Sequence, residues 1–146
     1  MWSTNDTPSR RIDFEVDTEP TPWQRPRANH GTGRYFVDRR SQRCRDAIRA
    51  AAFPHGSIGL AACRAIIEIR VDRPARPAWW FPSRFDVDNA AKQVLDAVNG
   101  ISFADDRQIV ELRARKRYCR DGEMPGYRVR IDEIAEFCYC DGAEAV

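Results

Sequence analysis

The chain has 146 residues, room for one domain with short tails and not for two full cores. Its 42% apolar and 32% charged residues exclude a disordered chain, and its longest apolar run, Ile58–Cys63, is about a third of a membrane span. The net charge is +2, but Asp132–Val146 holds five acids and no base, so residues 1–131 carry 24 basic against 17 acidic residues: a basic body, net +7, with an acidic tail.

Ile12–Val16 alternates apolar and charged side chains and predicts a half-buried strand. Pro20, Pro22 and Pro26 interrupt regular structure, and a loop from Trp23 runs through Gly31 and Gly33. Ser41 is placed to cap a helix over 42–53, with Cys44, Ile48, Ala51 and Ala52 inward and arginines outward, ended by Pro54 and Gly56. Ala65–Val71 predicts a strand, and 74–82 is irregular, with Trp79, Trp80 and Phe81. Asp88 or Asn89 caps the next helix, in which Ala91, Val94, Leu95 and Val98 follow helical spacing up to Gly100. Gln108–Tyr118 alternates again, with Val110, Leu112 and Ala114 expected inward and Glu111, Arg113, Arg115 and Arg117 outward. After a turn at Asp121–Gly122, Tyr127–Ile131 is the last strand. The order β-α-β-α-β-β predicts an α+β domain, a small mixed sheet covered by two helices, over residues 12–131, with 1–11 as N-terminal tail and 132–146 as acidic tail.

The chemistry is concentrated in Asp86-Val-Asp-Asn-Ala-Ala-Lys92 and Asp105-Asp106. Carboxylates two residues apart on extended chain point the same way, and Lys92 lies one helical turn beyond Asp88. If the loop bearing Asp105 and Asp106 returns to the same end of the sheet, three or four carboxylates meet near one lysine. Such a cluster needs a cation, and oxygen ligation suits Mg²⁺ or Mn²⁺. Taken singly, the same residues have plainer uses: Asp88 as a helix cap, Asp105–Asp106 as turn residues, Lys92 as the i, i+4 partner of Asp96. Lysine itself is scarce, with only Lys92 and Lys116 against 22 arginines, so the two compact ammonium groups stand out.

The stretch Phe85–Gly100 followed by Asp105-Asp-Arg-Gln-Ile-Val-Glu111 resembles the RusA family of Holliday-junction resolvases, and Pro22-Trp-Gln-Arg-Pro-Arg27 is similar to the family's Pro/Arg-rich segment. The resemblance covers about residues 12–131. It implies a RusA-like fold and a Mg²⁺-dependent homodimeric endonuclease, with Mn²⁺ as substitute, that nicks four-way DNA junctions symmetrically in recombination and repair. It further implies Asp86, Asp88 and Asp106 as metal ligands and Lys92 as catalytic lysine. Asn89 and Asp105 are expected in supporting roles around the ligands. Lys116 falls where the family often carries a lysine. A Phe at position 85 replaces the family's common Pro.

Phosphate contacts are expected from Arg25, Arg27, Lys116 and the row Arg113, Arg115, Arg117. Trp79 and Trp80 suit either packing or a platform for bases. Two other activities fit the same residues: a metal nuclease on flaps or other branched DNA, and a non-catalytic DNA-binding module with a structural ion. The polar N-terminus and five cysteines without a C-x-x-C pair predict a cytoplasmic, reduced protein, with a zinc site from Cys119, Cys138 and Cys140 disfavoured.

Overall fold

The computed structural model describes residues 8–134. Cys138, Cys140 and most of the acidic tail lie outside them. The elements are β1 (Arg11–Asp17), β2 (Arg27–Ala28), β3 (Tyr35–Phe36), α1 (Arg39–Ala52), β4 (Cys63–Val71), α2 (Val87–Val98), β5 (Ile109–Tyr118) and β6 (Gly126–Glu133), with single 3₁₀ turns at Phe53–His55 and Asp106–Gln108. Four strands form one mixed sheet in the order β1-β6-β4-β5. Only β4 and β5 run parallel, joined through α2, while β6 is antiparallel to both its neighbours. This is the expected α+β architecture. The hairpin β2–β3 is an addition to the expected order, because strands of two residues carry no periodic signal.

Alternation sets the two faces of the sheet. Cys63, Ala65, Ile67, Ile69 and Val71 of β4, with Tyr127, Val129 and Ile131 of β6 and Ile12 and Phe14 of β1, are buried beneath the helices. From the helices, Cys44, Ile48 and Ala52 of α1 and Ala90, Ala91, Val94, Ala97 and Val98 of α2 complete this core. Helix α1 is capped by Asp38, whose carboxylate accepts from the Ser41 N–H, and not by Ser41, whose side chain is buried. Beyond α2, Gly100 takes φ = 78°, which a side chain would strain. Gly126 has a different reason to lack a Cβ: one would lie 2.0 Å from the Val16 carbonyl oxygen on β1.

The opposite face is open and covered by ion pairs. Arg70 binds Glu15 and Asp17, Asp13 binds Arg128 and Arg130, and Glu68 binds Arg115 and Arg117. The strands also run past the expected domain limits. Arg11 binds Asp132 at 2.6 Å and Arg10 binds Glu133 at 2.8 Å, so residues assigned to opposite tails meet across the β1–β6 ladder and belong to the folded unit.

Strand β5 departs most from expectation. Val110 and Leu112 stand 42% and 46% exposed, while Ile109 and Ala114 pack against the core. Register with Ala65 puts Leu112 on the helix side, whereas Val110 falls at a register shift between Ile109 and Glu111; both lie on an edge strand. No helix among the described residues is long and apolar enough to cross a membrane.

Candidate active site

The start of α2 is built by three separate anchors. Buried Tyr127 on β6 accepts from the Thr21 N–H at 3.1 Å, and burial pushes its own hydroxyl pKa up. Buried Gln93 on α2 donates to the Ser41 carbonyl at 3.0 Å and more weakly to the Thr21 hydroxyl. The Trp23 N–H then donates to the Asn89 carbonyl at 3.0 Å. The Pro-rich segment is thus bolted across the first turns of α2. Gln93 was readable as a polar residue at a core position of a helix, but its partners were not.

Against this frame the motif residues take definite places. Asp86 is the N-cap residue, with extended backbone and no side-chain cap bond, and Asp88 lies inside the first turn. The extended-chain geometry expected for both therefore holds only for Asp86; the helix terminus brings them to one end instead. Both side chains are exposed and neither forms an ion pair among the described residues. Lys92 does not pair with Asp96. Its ammonium sits 3.8 Å from the centroid of the Trp23 ring, a cation–π contact that holds it at this end. Lys116, on β5, donates to the Phe85 carbonyl and lies 5.7 Å from the Phe85 ring centroid. The chain's two lysines flank the two aspartates. A groove of about 1070 Å³ opens beside Lys116, walled also by Trp80, Phe81 and Tyr118 and not reaching Asp86, Asp88 or Lys92.

Asp105 and Asp106 lie elsewhere. Asp105 caps the 3₁₀ turn in a reciprocal box with Gln108, whose amide also donates to the carbonyls of Gly59 and Ala61, both at 2.7 Å. Arg107 binds the Asp105 carboxylate with side chain and backbone and holds its pKa at about 2. That leaves Asp106 as the exposed acid of the pair. This corner precedes β5, whereas Lys116 and Phe85 mark the strand's far end. Lys116 lies seven residue steps along the strand from Ile109, about 23 Å, and α2 itself spans about 18 Å. The expectation that Asp86, Asp88, Asp105 and Asp106 converge within one chain is therefore corrected: a helix antiparallel to β5 delivers the loop to the opposite end of the sheet. Consistent with this, the described residues contain no group of three His, Cys, Asp or Glu that could hold a metal ion. Among the described residues, no three carboxylates of one chain meet.

The arginines divide likewise. Arg25 and Arg27 follow directly from Trp23 and are exposed. Arg113, Arg115 and Arg117 point to the open face, away from Lys116, and are bound to Glu111, Glu68 and Glu123. The outward row expected to contact phosphates therefore does face outward, but carboxylates occupy its arginines. Trp79 stacks on Phe81 at 5.7 Å and Trp80 meets the same ring edge-on at 5.2 Å in an exposed loop, outside the core.

A family model described as Endodeoxyribonuclease RusA matches residues 17–132, most of the chain and all of the elements that build this end of α2. The chain belongs to the RusA endodeoxyribonuclease family. This is a family of DNA-cutting enzymes that act on Holliday junctions. Comparison with curated proteins gives no match. The RusA match begins at Asp17, takes in Trp23, the Asp86–Lys92 motif and Asp106, and ends at Asp132 within β6.

Proposed function

We propose that this RusA-family chain is a Mg²⁺-dependent endonuclease that resolves four-way DNA junctions by paired nicks and works as a homodimer. The observation that carries the reading is the gathering of both lysines around Asp86 and Asp88 at one exposed helix end. Unpaired carboxylates beside fixed ammonium groups suit a phosphodiester, whose transition state gains negative charge. In this reading Lys92 meets that charge and Lys116 anchors a neighbouring phosphate or steadies the Phe85–Asp86 turn. The cytoplasmic location expected from the sequence goes with this activity.

The dimer is supported by what one chain lacks. Asp106 is about a helix length from Asp86 and Asp88, so a three-carboxylate Mg²⁺ site calls for a second copy. Strand β5 offers a free edge among the described residues. Antiparallel pairing of two β5 strands about Leu112 sets Leu112 against its own copy, Val110 against Ala114 and Glu111 against Arg113, apolar with apolar and acid with base. The same register carries Lys116 opposite Gln108 of the partner subunit, which brings the Asp86–Asp88 end toward the other chain's Asp105–Asp106 corner.

The test is incubation with a synthetic four-way junction, a linear duplex and a flap, with and without Mg²⁺. The reading expects symmetric nicks in the junction alone, only with Mg²⁺. Preferred cutting of the flap without paired nicks would replace it with a branched-DNA nuclease. Binding with no cleavage under any divalent cation would leave a DNA-binding module.

A further inference from the structure

Six of the ten arginines that form no ion pair among the described residues fall within residues 25–45; the others, Arg49, Arg73, Arg76 and Arg120, lie singly elsewhere along the chain. Residues 25–45 contain seven arginines and one aspartate, a net +6 that nearly equals the +7 of the whole basic body. Of these, Arg25, Arg27, Arg34, Arg39, Arg43 and Arg45 form no ion pair among the described residues, whereas Arg40 reaches Glu19 at 3.6 Å. Asp38, the segment's single acid, is committed to capping α1. The open sheet face presents the reverse case, since its arginines are matched by carboxylates. The hairpin β2–β3 extends from the base of this segment and carries Tyr35 and Phe36 at 75% and 51% exposure. Its root is Trp23, which touches both Lys92 and Asn89.

We propose that residues 25–45 form the DNA-binding arm of this protein: its arginines take backbone phosphates of the duplex next to the branch, and Tyr35 stacks on a base left unpaired there. Charge complementarity selects the partner, because a net +6 without internal neutralisation gains most from a polyanion that releases condensed counterions. The exposed rings select branched over plain duplex DNA, because stacking requires a base freed from its own stack. The attachment through Trp23 places the arm beside the Asp86–Lys92 end, so bound DNA is led to the site of cleavage. The inference rests on the nuclease reading above and adds the surface that holds the substrate.

Binding is measured by fluorescence anisotropy on a labelled four-way junction and on a duplex, without divalent metal, between about 50 and 200 mM salt. Two double variants are compared, Arg27→Gln/Arg34→Gln in the arm and Arg128→Gln/Arg130→Gln on the sheet face, each checked for folding by circular dichroism. The arm pair is expected to weaken junction binding at least tenfold and to make the slope of log K against log salt shallower by about 2, near 0.9 per lost contact. The sheet-face pair is expected to bind within twofold of wild type. Tyr35→Ala is expected to lose about tenfold on the junction and little on the duplex, with Tyr35→Phe restoring it. Wild-type affinity and slope in the arm pair, or an equal loss in the sheet-face pair, would overturn the inference while the nuclease reading stood. A wild-type protein that bound no DNA would overturn both.

Discussion

Asp86, Asp88 and Asp106 carry no ion pair among the described residues, a state they share with Asp38, Asp46, Asp72, Asp96 and Asp121, while Asp13, Glu68, Glu111 and Glu133 are held by arginines. Acids spared from structural work are available for chemistry, and their removal should leave the fold alone. Asp88→Asn and Asp106→Asn are each expected to lower junction cleavage by orders of magnitude, with affinity unchanged or higher as negative charge leaves the surface. Melting temperatures should stay close to wild type; a single-turnover rate near wild type in both variants would remove these residues from the site. Lys92 has a different profile. Lys92→Ala should lower the single-turnover rate far more than it weakens binding, since a transition-state contact is lost and the binding arm remains. Trp23→Leu should give a smaller loss of the same kind, because Trp23 acts by holding the ammonium in place. Weak binding with an intact rate at saturation would make Lys92 a phosphate anchor instead.

At the scale of elements, legibility in the sequence tracked how strongly each segment was patterned. Helix α2 and strand β4 were readable because their apolar residues repeat at 3.6 and 2 over a whole element. The two-residue strands β2 and β3 had no such pattern to show. Strand β5 alternates as clearly as β4, yet its Val110 and Leu112 are exposed, since periodicity reports which residues share a face and not whether anything covers it. The motif residues were legible by type and spacing, but the position of Asp106 was not: loop 99–108 is short enough to suggest a return to the start of α2, while the helix it follows had already carried the chain to the other end. The uncovered apolar pair on β5 has its own consequence. Leu112→Arg should convert the proposed dimer to a monomer in sedimentation and abolish paired nicking, with little change in monomer stability because the residue is already half exposed. A Leu112→Arg protein that stayed dimeric would move the interface to another surface.

For the whole molecule, charge is sorted by location: neutralised on the sheet face, unneutralised along residues 25–45, and acidic in the tail. The ion pairs of the sheet face and of the 3₁₀ corner tie stability to pH. Arg117 holds Glu123 at about 2, and Arg107 holds Asp105 at about 2. Partial burial alone would raise Glu68, Glu111 and Asp13, but their arginine partners prevail and lower all three. Carboxylates whose folded-state pKa is depressed stabilise above their ordinary values of 3.8 to 4.5, and that contribution disappears as pH falls toward 2. The melting temperature is expected to be level from neutral pH to about 5 and to drop steeply below about 4.5. A flat profile down to about pH 2.5 would show that these pairs add nothing to stability.

The central claim is that each cleavage site is shared between two chains, with Asp86, Asp88 and Lys92 from one and Asp106 from the other. Subunit mixing tests it directly. Asp88→Asn and Asp106→Asn proteins, each inactive alone, are combined, allowed to exchange subunits, and assayed on a labelled four-way junction in Mg²⁺. With shared sites, the mixed dimer has one site bearing both substitutions and one bearing neither, so nicking of a single strand per junction should return. If every site lies within one chain, each site of the mixed dimer keeps one substitution, and a mixture as inactive as its components would contradict the claim.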